Sequence, residues 1–128
     1  MEKEKENRTI SAMLFHEWLN NLSMYSQELN YLYDMVSSRR YRGIPLDASI
    51  ELEALSELIT ERREDVANLS SEVLSRLRLH EAKGSNVTGV IQFSEIINNN
   101  QLRERIRKAE RSVFYLKYHV NKILSIAS

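Results

Sequence analysis

A chain of 128 residues with 18 basic and 18 acidic side chains, one Pro, three Gly and no Cys reads as a single domain, 1–128, large enough to bury a core unaided. The missing thiols exclude disulfides and thiolate metal sites, and the balanced charge excludes the overall basic signature of a dedicated nucleic-acid binder. The opening alternation of Glu and Lys is too polar for a secretory signal, and the longest uncharged run, 84–94, has eleven residues of mixed polarity, so a cytoplasmic chain with no membrane span is expected.

Gly43 and Pro45, then Gly84 and Gly89, punctuate the chain into three long pieces. In the first, Phe15, Trp18, Leu22, Tyr25, Leu29, Leu32 and Val36 recur at alternating steps of 3 and 4, which places them on one helical stripe and predicts a helix over about 7–40. Ile10, Leu14 and Leu19 widen that stripe, so the helix is expected to face two partners. Beyond Pro45, Asp47 or Ser49 is suited to cap a second helix, about 48–83, with the seam Leu52, Leu55, Ile59, Arg62, Val66, Leu69, Val73, Leu77 and His80. Gly84 ends it.

The third piece keeps its 4-3 alternation through Leu102, Ile106, Ala109, Val113, Leu116, Val120, Ile123 and Ala127, predicting a helix over about 101–126. Ile97 lies five residues before Leu102, about 140° away around an ideal helix. That mismatch implies a break or a change of phase at Asn98, Asn99 and Asn100, with 84–100 read as a loop and a short helical turn at 94–98, and 87–93 open to an extended conformation. Short connections force antiparallel neighbours, so the expected fold is all-α, an elongated up-down-up three-helix bundle of coiled-coil type, with a short helical or irregular segment before the third helix.

Metal and haem chemistry find no support in spacing: His16, His80 and His119 make no Glu-x-x-His, His-x-x-x-Glu or His-x-x-x-His pair, and Met13 and His119 fall at opposite ends of the rod. No metal and no cofactor are therefore expected. Nucleophilic elbows and phosphate loops are missing as well, since Gly84-Ser85-Asn86-Val87-Thr88-Gly89 lacks the following Lys. Over five residues, Arg76-Leu77-Arg78-Leu79-His80 resembles the Arg and His pair of small all-helical ribonucleases of the HEPN type. The match is incomplete, with three intervening residues where that family shows four to six, and no family assignment rests on it.

Two surfaces remain as functional candidates. Tyr31, Tyr33, Phe114, Tyr115 and Tyr118 lie off the seams, more aromatic surface than a thin rod hides, and Tyr31, Tyr33, Phe114 and Tyr118 are the candidate protein-binding residues, a second copy of the chain being the expected partner. Arg76, Arg78, Arg103, Arg107 and Arg111 are candidates for a polyanion such as nucleic acid, the last three recurring every four residues. The second helix instead gathers acids, Asp47, Glu51, Glu53, Glu57, Glu61, Glu64 and Asp65, in its first half. The leading reading is a non-enzymatic association module, with nucleic-acid binding and, behind it, ribonuclease activity as alternatives. Finally, Arg62 interrupts the second seam: a register pairing Arg40 with Ala48 would set it level with Ser26 and within reach of Glu28, and the alternative is that it swings out to solvent or to Asp65 or Glu61 on its own helix.

Overall fold

The computed structural model describes residues 2–39, 43–83 and 89–127, with the side chains of 12–38, 43–82 and 98–125. Three helices, α1 Glu2–Arg39, α2 Leu46–Lys83 and α3 Gly89–Ala127, pack on one another as a three-helix bundle, and the described residues include no strand. At 1.5 Å per residue each helix is about 57 to 59 Å long.

The seams read from the 3-4 spacing form the core. On α1, Phe15, Trp18, Leu22, Leu29, Leu32 and Val36 are buried, with Tyr25 half-buried among them. On α3 the buried row runs from Leu102 through Ile123 and adds Leu124. α2 contributes Leu52, Ile59, Val66, Leu69, Val73 and Leu77, while its polar seam positions Arg62 and His80 stay half-exposed. Phe15 sets its ring edge-on against Trp18 at 5.7 Å and against His80 at 6.0 Å, joining α1 to the far end of α2.

Between α1 and α2, Gly43 adopts φ +60°, a left-handed conformation that costs glycine little. The Pro45 carbonyl accepts the Ser49 N–H at 2.9 Å, so α2 begins at Leu46 and Asp47 lies in its first turn, where its charge favours the helix dipole but does not cap. Ile44 and Ala48 pack on the core, and the register expected from pairing Arg40 with Ala48 is overturned by two contacts between α1 and α2. Contacts of Phe15 with His80 and of Tyr33 with Arg63 set Arg62 level with about Tyr33, not Ser26.

Of the two expectations for Asn98, Asn99 and Asn100, a break or a change of phase, α3 takes the second. The backbone is helical from Gly89 through Asn98, Asn99 and Asn100 to Ala127, so the loop-and-turn reading fails over 89–100 and the extended alternative fails over 89–93; residues 84–88 lie outside the described ones. Moving the apolar stripe to another face breaks no backbone hydrogen bond, and no Gly or Pro follows Gly89. Counting back by heptads from Leu102 puts Asn99 on the seam, where it is half-buried.

Candidate functional site

Two bridges tie α1 to α3 and define one long side of the rod. The Tyr25 hydroxyl donates to Glu110 Oε2 at 3.1 Å, and Lys117 Nζ lies 3.7 Å from Glu28 Oε2. Burial of the phenol, with the Glu110 carboxylate accepting its hydrogen bond and repelling a second negative charge, pushes the Tyr25 pKa up to about 12. Both bridges pair a residue of α1 with one of α3 in parallel order, so Met24 and Tyr31 on α1 come level with Phe114 and Tyr118 on α3. These four are 61%, 64%, 62% and 64% exposed. Of the aromatic candidates, then, Tyr31 and Phe114 flank these bridges on one side of the rod, whereas Tyr118, one heptad beyond Arg111, sets its ring against His119 on α3. Tyr33 does not join them: it packs on the core beneath the Arg63 guanidinium, 4.8 Å from its ring centroid, at the α1–α2 contact. Met24 was not singled out in the sequence, although it stands one heptad before Tyr31.

The basic candidates scatter. Arg76, three residues beyond Val73 and two heptads beyond Arg62, stands where an unbroken 3-4 alternation places a seam residue; it is half-buried, and its Nε is buried without a hydrogen-bond partner among the described residues. Arg78 lines a shallow depression on the outside of α2 with Leu74 and Leu79. On α3, Arg107 pairs with Glu104 at 3.4 Å, and Arg103 lies exposed on the flank facing α1. Only Arg111 of the five enters the groove between α2 and α3, where it meets Arg62, Arg105 and Lys108. Those three lie off the four-residue stripe, and only heptad positions counted on both helices would have gathered them.

Arg62 does not cross to α1. It pairs with Asp65 one turn on at 2.7 Å, while Glu28 is held by Lys117, so the expected Arg62–Glu28 pair is absent. At the Arg76 and His80 pair, the Arg76 Nε is buried and the His80 ring packs edge-on against Phe15. Among the described residues no three His, Asp or Glu side chains gather as a metal site requires, and no helix is long and apolar enough to cross a membrane. His119 lies between aromatic neighbours, 4.2 Å from the ring of Tyr115 and 5.3 Å from that of Tyr118.

Comparison with family models, with curated proteins and with solved structures finds no match to this chain.

Proposed function

We propose that this protein is a non-enzymatic association module whose α1–α3 side docks against the same side of a second copy. The observation that carries the reading is the placement of Met24, Tyr31 and Phe114, each more than 60% exposed, along the α1–α3 side that the Glu28–Lys117 bridge joins. A two-fold contact favours a patch that complements itself, apolar and with little net charge. This one presents exposed apolar side chains, and within it Glu28 and Lys117 cancel, leaving the half-buried Glu110 carboxylate bonded to Tyr25.

The strength expected follows from the exposed area. Covering a large apolar side chain already about one-third buried contributes about 1 to 2 kcal/mol, so six such side chains from two copies give about 6 to 12 kcal/mol gross. Association itself costs about 4 to 15 kcal/mol, which leaves a dimer of micromolar or weaker affinity. Light scattering across a size-exclusion column over a concentration series tests it. The wild type should move from 15.0 kDa toward twice that mass as concentration rises, and Tyr31→Ser with Phe114→Ser should stay at 15.0 kDa while keeping its helical circular dichroism. A wild-type mass fixed at 15.0 kDa into the high micromolar range refutes the reading.

A further inference from the structure

On the opposite flank of α3 lies a feature that self-association leaves unused. α2 and α3 enclose an open groove of about 520 Å³ whose floor is Val66, Leu69 and Ala109. Ala109 explains the recess: it is the single small residue in the buried row of α3, between Ile106 and Val113. Four cations reach the groove, Arg62, Arg105, Lys108 and Arg111, against one carboxylate, Asp65. Arg62 is held by Asp65 at 2.7 Å and Arg105 by Glu72 at 2.6 Å, whereas Lys108 and Arg111 have no acidic partner among the described residues.

Low-dielectric walls beneath clustered charges of one sign focus the field into the groove. Arg105, Lys108 and Arg111 succeed each other every three residues, about 4.5 Å apart along the axis, with Arg62 on the facing wall. A single phosphate would meet one end of this row, while a chain of phosphates meets all of it. Three of the four cations are arginines, whose planar forks match phosphate oxygens, and Asn68 and Ser112 add neutral donors on the two walls. We infer that the α2–α3 groove binds a chain of phosphates, the chemistry shared by a nucleic-acid strand and inorganic polyphosphate.

Fluorescence anisotropy of a labelled short uridylate strand, with inorganic polyphosphate and polyglutamate as competitors, tests this. Two to three neutralised phosphates give a log-log salt slope of about −1.4 to −2.1, so affinity should fall roughly tenfold between about 50 and 200 mM salt. Lys108→Gln with Arg111→Gln should flatten that slope by about 1.4, and Arg78→Gln, outside the groove, should leave it unchanged. Both groove positions are exposed, and unchanged circular dichroism controls for folding. Strand binding displaced by polyphosphate assigns the groove to phosphate chains in general, and polyphosphate binding without strand binding assigns it to polyphosphate. Binding of neither at about 50 mM salt overturns the inference, as does equal competition by polyglutamate or an equal effect of Arg78→Gln. Self-association is read separately by light scattering on the same variants, which leave the α1–α3 side intact.

Discussion

Tyr25→Phe removes one oxygen from the middle of the α1 seam and keeps the ring that packs there. What is lost is the hydrogen bond to the Glu110 carboxylate, and Glu110 is itself only half-buried, so water replaces the lost donor. A hydrogen bond to a charged acceptor contributes about 1.5 to 3 kcal/mol, and screening at this half-exposed site brings the expected cost down to about 1 kcal/mol. Across 128 residues, unfolding entropy of about 0.27 kcal/mol per degree turns that into about 4 °C in Tm. The pH dependence gives the sharper test. The unfolded phenol loses its proton near pH 10, whereas the folded one holds it to about 12. Between those values the folded chain binds more protons than the unfolded one, so the stability due to this phenol is complete below pH 10 and drains away as pH rises toward 12. Paired urea melts should therefore favour wild type over Tyr25→Phe by about 1 kcal/mol at pH 7, and the difference should shrink above pH 10 and change sign before about pH 12. A difference that stays constant across that range refutes the assigned role of the hydroxyl.

Two seam arginines on α2 should respond differently to the same replacement. Arg76→Met removes a buried Nε that has no partner and should raise stability by about 1 kcal/mol in urea denaturation, whereas Arg62→Met, losing only an exposed pair with Asp65, should stay within about 0.5 kcal/mol. Neither should alter the mass seen by light scattering, because the Arg62–Glu28 pair that would have fixed a register is not formed.

Most of the fold was legible because one physical signal, apolar residues stepping by 3 and 4, also decides what is buried. All seven residues of the first stripe line the core, with only Tyr25 held part-way out by its polar end. The register of α1 against α2 was not legible, since the contacts that set it, Phe15 with His80 and Tyr33 with Arg63, are a matter of shape with no periodic signature. The candidate surfaces were half legible for a related reason. Excess aromatic residues announce themselves in composition, but which of them meet depends on α1 and α3 running in parallel with Glu28 beside Lys117. That relation held Tyr33 apart and brought Met24 in. Likewise the stripe of Arg103, Arg107 and Arg111 was sought on one helix, while the groove draws cations from two.

The asparagine triplet separates the two ways of reading α3. If the phase change at Asn98, Asn99 and Asn100 ended a helix, an asparagine there would serve as a cap, and replacing it with alanine would cost about 1 kcal/mol. In the continuous helix Gly89–Ala127 the same residues are interior, so each is a weak helix former tolerated for its place in a long element. Asn100 is exposed, and Asn100→Ala should then stabilise by about 0.5 kcal/mol from propensity alone. Asn99 is half-buried on the seam, where Asn99→Leu adds apolar contact and should stabilise by about 1 kcal/mol or more, about 4 °C in Tm. Thermal melts of the two variants decide between the readings by sign: stabilisation by both supports an unbroken helix, and destabilisation by Asn100→Ala restores the break that the five-residue step from Ile97 to Leu102 allows.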